Sequence, residues 1–120
     1  MLIGIDKNET FRYVSTQDKG ENSTVFVIGV LTNRNKVALI NAILNTDGTV
    51  NKAVLQDKAV EIFRMGVKRI ENFYDPILKK AVSLESITDE TLDALPIEIV
   101  FEVSGKVAEF NFANGQDVKK

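Results

Sequence analysis

The sequence predicts an α+β protein in which an N-terminal β-hairpin packs on a small bundle of three to four helices. Two runs near the N-terminus are rich in β-branched and aromatic residues, which is the composition of strands. Further along, a stripe of apolar residues at three- and four-residue intervals is typical of an amphipathic helix. The length of 120 residues fits one domain, for which a hydrophobic fraction of 44% supplies a core.

The two strand-like runs predict a hairpin. Residues 11–15 read Phe-Arg-Tyr-Val-Ser, and residues 24–32 read Thr-Val-Phe-Val-Ile-Gly-Val-Leu-Thr. The intervening residues 16–23 have the polar, flexible composition of a connecting loop. We therefore expect an antiparallel hairpin, preceded by a mobile segment over residues 1–10.

A helix is expected to follow the hairpin, with Thr32 as its N-cap. The Thr32 hydroxyl can accept a hydrogen bond from a free first-turn amide, and apolar residues then follow at helical spacing from Asn33 onward. Asp47-Gly48 predicts a stop and a turn, because glycine adopts the left-handed conformation that ends helices.

The clearest predicted element is a single amphipathic helix over Asn51–Tyr74. We expect Phe63, Phe73 and Tyr74 on its stripe to lie in the core. Gly66 costs about 1 kcal/mol relative to alanine in a helix interior, so it marks either a close helix crossing or a tolerated weakness.

Asp75-Pro76 is expected to end this helix, because proline disfavours helical geometry in the preceding residue. Residues 77–82 then resume the helix for a short stretch. The run Ser-Ile-Thr-Asp-Glu at 86–90 predicts the start of the next helix, since it offers a cap followed by acidic residues that match the positive helix end.

Two periods compete over residues 97–110. Ile97, Ile99, Phe101 and Val103 alternate as in a strand, whereas a helical stripe begins just after Pro96. The helix is favoured because its stripe continues past residue 105, where the alternation stops. The polar segment 112–120 has no core pattern and is expected to be mobile.

Charge and hydropathy favour a protein partner over nucleic acid or membrane. Fifteen basic and seventeen acidic residues give a net charge of −2, which provides no general attraction to phosphates or anionic lipids. No apolar run approaches the roughly 18 residues that would span a bilayer, and the first residues lack the pattern of a signal peptide. We expect a location in the cytoplasm of a bacterial host, with retention in a virion left open.

No residue pattern predicts catalysis. The chain contains no cysteine, histidine or tryptophan, which excludes thiolate and imidazole chemistry and the usual zinc ligands. The glycines are too widely spaced for a phosphate-binding loop. Asp89, Glu90 and Asp93 could hold a hard cation, as a metal-dependent hydrolase would require, but helix capping is favoured. We predict a non-enzymatic protein with no cofactor or metal.

Aromatic residues are the candidate protein-interface residues. Those of the predicted hairpin either pack in the core, which is favoured, or form an exposed platform. Those beside the C-terminal tail are the aromatics most readily assigned to an intermolecular contact. The candidates are Phe11, Tyr13, Phe26, Phe110 and Phe112.

Short motifs in both halves of the chain carry a family resemblance. They are Phe-Arg-Tyr-Val-Ser at 11–15, Asp-Lys-Gly at 18–20, Thr-Val-Phe-Val-Ile at 24–28 with a Leu-Thr step into a helix, and Leu-Asp-Ala-Leu-Pro-Ile-Glu-Ile at 92–99. This pattern, over about residues 11–44 and 88–110, resembles small morphogenesis proteins of tailed bacteriophages and is similar to tail assembly chaperones. It departs from them at Ser23, where a proline is expected, and implies no catalytic residue.

The resemblance implies a bacteriophage or prophage protein that assists head-tail or tail assembly by binding phage structural proteins or itself. The alternative hypothesis is a small regulatory or anti-defence protein that binds a bacterial enzyme. Gene neighbours would separate the two, because capsid or tail genes favour assembly and defence-linked genes favour inhibition.

Overall fold

A computed structural model describes residues 1–18 and 20–118, with side chains described as far as residue 112. In this part of the chain, strands and helices follow one another in the order β1 (Thr10–Tyr13), β2 (Val25–Gly29), α1 (Asn33–Ile43), α2 (Lys52–Asp57), α3 (Ala59–Gly66), β3 (Val67–Asp75), β4 (Lys80–Leu84), α4 (Asp89–Ala94) and α5 (Ile97–Val118). The fold is α+β and begins with an antiparallel hairpin, as predicted.

The strands form one antiparallel sheet in the order β1-β2-β3-β4, four strands among the described residues. In the first hairpin, Phe11 lies opposite Ile28 and Tyr13 opposite Phe26. The buried residues of β2 and β3 on this face belong to the same apolar cluster as residues of α3 and α5. Helices α3 and α5 therefore cover the face of the sheet to which the core belongs.

The crossing of α3 over α5 forms the centre of the core. Phe63 on α3 and Val103 and Val107 on α5 are fully buried. A Cβ atom at Gly66 would lie 2.2 Å from Cγ1 of Val107, closer than any side chain could tolerate. Of the two interpretations of Gly66, the close helix crossing is correct.

The prediction of one helix over 51–74 is wrong. The chain is helical only to Gly66, with an interruption at Lys58 between α2 and α3, and it continues as strand β3. Pairing of Phe26 with Ile70 gives β2 a second neighbour, so that its buried backbone groups are satisfied on both sides.

Bulges explain why β3 has a helical pattern. Its inward residues Val67, Ile70 and Phe73 lie three apart, where a regular strand would place them two apart. The register shifts once opposite Val27 and Ile28 and again between Ile70 and Phe73, where Asn72 adopts a left-handed conformation with φ 59°. At each bulge β3 has one extra residue, so the next inward side chain comes three positions later and not two. This spacing of three is the same as that of a helix.

The interpretation of residues 77–82 as helix is also wrong. Asp75-Pro76 closes strand β3, a turn follows, and Lys80 begins β4 opposite Asp75. Tyr74, expected in the core, is 59% exposed, because it follows Phe73 on the opposite face of the strand. Phe63 is buried as predicted, and Phe73 is half-buried against the core.

The predicted helix starts at Thr32 and Thr88 are confirmed, whereas the predicted stops are not: α1 ends at Ile43, before the turn that contains Gly48, and Asp75-Pro76 ends a strand. Thr32 Oγ1 accepts a hydrogen bond from the Asn35 amide at 3.1 Å, and Gly48 has the left-handed φ of 87°. Thr88 caps α4 in the same manner through the Thr91 amide.

The competition over residues 97–110 is resolved in favour of the helix, because α5 runs from Ile97 with Val100, Val103 and Val107 buried on one stripe. Its backbone continues through Val118, well past the predicted end, whereas residues 1–9 precede the first strand. The mobility expected for 1–10 and 112–120 stays a prediction, and 119–120 lie outside the described residues.

Candidate protein-binding surfaces

Glu102 joins the first hairpin to α5. Its carboxylate accepts hydrogen bonds from the Tyr13 hydroxyl, from Ser15 Oγ at 2.8 Å and from the Thr16 amide at 2.9 Å. Three donors from consecutive parts of β1 and the following loop thus converge on one side chain of the helix. The end of β1 is fixed to α5 by this cluster.

Electrostatics within the cluster follow from this geometry. Burial alone would raise the pKa of Glu102, but the donated hydrogen bonds and the charge of Lys106 outweigh it and lower that pKa. Burial, reinforced by the hydrogen bond to Glu102, raises the pKa of Tyr13 to about 12. The cluster therefore favours a charged carboxylate and a neutral phenol.

The predicted interface residues Phe11 and Phe110 contact each other. Their rings stack with centroids 5.8 Å apart and planes 12° apart, and the Phe11 ring lies 6.1 Å from that of Tyr13. Phe11 remains 39% exposed. Lys106 lies over the Tyr13 ring with Nζ 5.6 Å from its centroid. These aromatics mainly bind β1 to α5.

Phe26 and Phe112 have different surroundings. Phe26 is 2% exposed and meets Phe63 edge to face with centroids 6.0 Å apart, so the favoured core interpretation holds for it. Phe112 is half-buried and packs against the core cluster. The five candidates therefore form no common platform: Phe11, Tyr13 and Phe110 share one contact, and the other two lie elsewhere.

Two buried polar side chains complete the attachment of α5. Asn111 accepts a hydrogen bond from the Leu31 amide at 2.8 Å and donates to the carbonyls of Gly29 at 3.3 Å and Val107 at 2.9 Å. Ser104 donates to the carbonyl of Ala59 at 2.6 Å. Each side chain supplies hydrogen bonds to buried backbone amides or carbonyls that water cannot reach. These bonds hold α5 in one register against its neighbours.

The opposite face of the sheet is charged. Glu71 Oε1 lies 2.7 Å from Arg12 Nη2, and its Oε2 accepts from Arg69 Nε at 2.9 Å. The hydrogen bonds from Arg12, then Arg69, lower the pKa of Glu71. Val27 lies between Arg12 and Arg69 in the register and is fully buried. This network shields the centre of that face from water.

The turn between β3 and β4 carries an exposed apolar surface that the sequence did not predict. Ile77 is 87% exposed and Leu78 is 58% exposed, next to the exposed Tyr74. We call these three residues the β3–β4 tip. The sequence contains a pattern that could have predicted this surface: an Asp-Pro turn followed by two large apolar residues and two lysines. The wrong prediction of a helix over residues 77–82 obscured it.

The backbone of this turn is fixed by Asp75. Its Oδ1 accepts from the Ile77 amide at 2.8 Å and the Leu78 amide at 3.2 Å, and its carbonyl accepts from the Lys79 amide at 2.7 Å. Lys79 adopts a left-handed conformation with φ 55°. The β3–β4 tip is thus presented on an ordered turn.

The acidic group at the start of α4 has the geometry of a helix terminus. Asp89 and Glu90 occupy the first turn, and Asp89 pairs with Arg64 of α3. Among residues 1–18 and 20–118, no group of three or more carboxylates is arranged to hold a metal ion. No helix within those bounds is both long enough and apolar enough to cross a bilayer.

Comparison with known proteins returns no match to a protein-family model, a curated protein or a solved structure.

Proposed function

We propose that the protein is a non-enzymatic bacteriophage or prophage assembly protein, which acts in head-tail or tail morphogenesis by binding a phage structural protein. The motifs that resemble phage morphogenesis proteins lie at about residues 11–44 and 88–110. The stack of Phe11 on Phe110 and the Glu102 cluster unite these separate stretches into one structural unit. A pattern split along the chain is thereby joined in space, as expected of motifs that specify one module.

The observation that carries the binding role is the β3–β4 tip. Ile77 is 87% exposed and Leu78 is 58% exposed, so burial within the fold contributes little to either, yet the hydrogen bonds to Asp75 fix the backbone that presents them. Prior ordering lowers the entropy lost on association, so such a turn suits insertion into a partner. Burial of each side chain in a complex is worth about 1.5–3 kcal/mol.

The charges beside the tip define the chemistry of its partner. Lys79 and Lys80 are exposed and follow the apolar pair directly, whereas the carboxylate of Asp75 is engaged by backbone amides. The complementary surface is an apolar pocket with carboxylates on its rim. The proposed partner is a head or tail protein that displays such a pocket.

Co-expression with the head and tail proteins encoded beside its gene tests the proposal. The wild-type chain should co-purify with one of them, and the variant Ile77→Asp/Leu78→Asp should lose that association. Val37→Asp is the matched control, because Val37 is an exposed apolar residue on α1, away from the tip. Unchanged melting temperatures would show that all three chains are folded.

Failure of every neighbouring head and tail protein to associate would contradict the assembly role. Association that survives in the tip variant would remove the tip from the interface. Electron microscopy of particles assembled with and without the protein provides a second readout, since an assembly role predicts fewer complete particles in its absence.

A further inference from the structure

Strand β4 forms one edge of the sheet. It pairs with β3 on one side, and in the part of the chain that the structure describes no strand pairs with its other side. A strand in this position carries a row of backbone N–H and C=O groups that can pair with a further strand. All five residues of β4 are exposed or half-buried, as expected of an open edge. The free edge of β4 is therefore a candidate binding site for an extended chain.

The two edges of the sheet differ in how they are protected. Edge strands of natural proteins usually carry a charge, a proline or a bulge that prevents pairing with another chain. Strand β1, at the opposite edge, has Arg12 among its four residues. Positions 81–84 of β4 read Ala-Val-Ser-Leu, with neither charge nor proline. The centre of β4 thus lacks the protection that β1 has.

The ends of β4 carry opposite charges. Lys79 and Lys80 precede its uncharged centre and Glu85 follows it, and all three residues are exposed. When two copies of β4 run antiparallel, the lysine end of each lies beside the glutamate end of the other. A parallel arrangement would place like charges together, which is unfavourable between paired strands. The strand is therefore complementary in charge to an antiparallel second copy of itself.

The two faces of β4 limit how such copies can be related. Val82 lies opposite Phe73 and Leu84 opposite Ile70, and these neighbours belong to the core or pack against it. Val82 and Leu84 therefore point toward the helices, because paired residues share a face of the sheet. A twofold axis perpendicular to the sheet reverses the strand direction and keeps this face on the same side in both copies.

We propose that two copies of the chain pair antiparallel through β4, with the twofold axis at Val82. This register pairs all five residues of each strand and places Glu85 of each copy opposite Lys79 of the other. The two sheets become one continuous sheet, with the helices of both copies on the same side. The paired segment is short, so the association is weak and reversible. This inference does not depend on the phage role.

Sedimentation over a range of concentrations tests self-association. The wild type should form a dimer at concentrations up to about 1 mM. Glu85→Lys should raise the dissociation constant about tenfold, because the axis repeats its repulsion from Lys79 at both ends of the pairing. Glu61→Lys, the same change of charge at an exposed position of α3, is the matched control and should leave that constant unchanged. A monomeric wild type, or equal constants for the two variants, would overturn the proposal.

Mixing two charge variants tests which ends meet. Lys79→Glu/Lys80→Glu should weaken its own dimer, since its new carboxylates would face Glu85 of the other copy. Mixed with Glu85→Lys, it should form a heterodimer with a dissociation constant about tenfold below that of either homodimer, because both ends again combine opposite charges. Glu61→Lys in the same mixture should give no such gain. Equal gains from both mixtures, or no gain from either, would overturn the pairing.

Crosslinking tests the register in a chain that has no native cysteine. Val82→Cys lies on the axis, where Cα atoms of paired residues are about 4.5 to 5.5 Å apart, a separation that suits a disulfide. It should crosslink about tenfold faster than Ile77→Cys, although Ile77 is 87% exposed, because paired copies raise the effective concentration. Equal rates, or faster crosslinking through Ser83→Cys, would overturn the pairing centred on Val82.

A neutral variant of the β3–β4 tip keeps this inference separate from the proposed function. Ile77→Ser/Leu78→Ser changes the turn outside the paired residues and should lose the phage partner while keeping the dimer. Loss of the dimer in that variant would contradict the β4 pairing. A wild type that binds the phage partner and stays monomeric would overturn the inference and leave the proposed function untouched.

Discussion

The first hairpin, β1–β2, turns its aromatic side chains toward α5, whereas the second hairpin, β3–β4, presents apolar side chains at its turn. Phe11 stacks on Phe110, and Tyr13 bonds to Glu102. At the second hairpin, Ile77 and Leu78 project from an ordered turn into solvent. Aromatic residues that the sequence marks as interface candidates can thus be used in contacts within the fold, whereas Ile77 and Leu78, which it does not mark, stay exposed to a partner.

The two hairpins also differ in how they are attached. Side-chain hydrogen bonds and aromatic stacking hold the first hairpin to α5, and the attachment is partly open to water. The second continues directly from α3, whose close crossing with α5 at Gly66 is completely buried. Disrupting the buried crossing should therefore cost more than disrupting the polar cluster.

The largest effect is expected from Gly66→Ala. Its Cβ would lie 2.2 Å from Val107 Cγ1, and the buried, branched valine cannot move aside easily. Overpacking should lower the free energy of unfolding by about 2 to 3 kcal/mol, even after the gain in helix propensity. Urea denaturation measures this change.

Gly105→Ala is the matched control for that variant. Among the described residues, no atom outside the neighbouring backbone of α5 lies within 4 Å of the added Cβ, so the substitution should stabilise α5 by up to about 1 kcal/mol. The double variant Gly66→Ala/Val107→Ala should recover part of the loss. A neutral Gly66→Ala would show that the crossing is looser than the contact distance indicates.

The next effect is expected from Glu102→Ala, which removes the common acceptor of three donors. We expect a loss of about 2 kcal/mol in the free energy of unfolding, because hydrogen bonds to charged groups contribute about 1.5 to 3 kcal/mol and are not additive. Glu109→Ala, on the same helix in an exposed ion pair with Lys106, should cost less than about 1 kcal/mol. Similar losses of stability for Glu102→Ala and Glu109→Ala would contradict the role of Glu102 in fixing β1 to α5.

The same carboxylate gives a pH dependence. Because the pKa of Glu102 is lowered in the folded state, its stabilising contribution is present above the unfolded pKa and is lost as pH falls through the folded pKa. Wild type and Glu102→Gln should therefore differ most near neutral pH and converge in acid. Denaturation midpoints measured across this range would show the convergence.

A smaller loss in the free energy of unfolding is expected when one apolar side chain is removed, and the loss should differ between the two hairpins. Phe11→Ala loses the stack on Phe110 and should cost about 1 to 2 kcal/mol. Ile77→Ala should change stability by less than about 0.5 kcal/mol, since the side chain is exposed. Thermal melting compares the pair directly, and equal losses would contradict the contrast between the hairpins.

Apart from the control substitutions, the smallest effect at neutral pH is expected from Tyr13→Phe, which removes one hydroxyl at a cost of about 1 kcal/mol. Its signature is alkaline: the folded pKa of about 12 exceeds the ordinary value near 10, so stability should decline as pH rises between them. Tyrosinate absorbance in a Tyr74→Phe background reports Tyr13 alone, because the chain has two tyrosines. A titration near the ordinary value would contradict the burial of the Tyr13 hydroxyl and its hydrogen bond to Glu102.

Helix starts, the turn at Gly48 and the first hairpin were predictable because their signals are local. Thr32 and Thr88 cap helices through amides three residues away, and Gly48 supplies its own left-handed turn. Strand β3 was not predictable, because its inward spacing of three comes from bulges that exist only when β2 and β4 pair with it. The same error hid the β3–β4 tip, the surface on which the proposed function rests.

By itself, the sequence determined the α+β class, the first hairpin, the helix caps and the helical character of the segment after Pro96, all of which depend on neighbours a few residues apart. Tertiary structure alone decided that residues 67–84 form strands, that Gly66 meets Val107, and that Tyr13 meets Glu102. Those outcomes depend on partners far away along the chain. A local pattern carries no information about distant partners, because a bulged strand and a helix can share the same spacing of apolar residues.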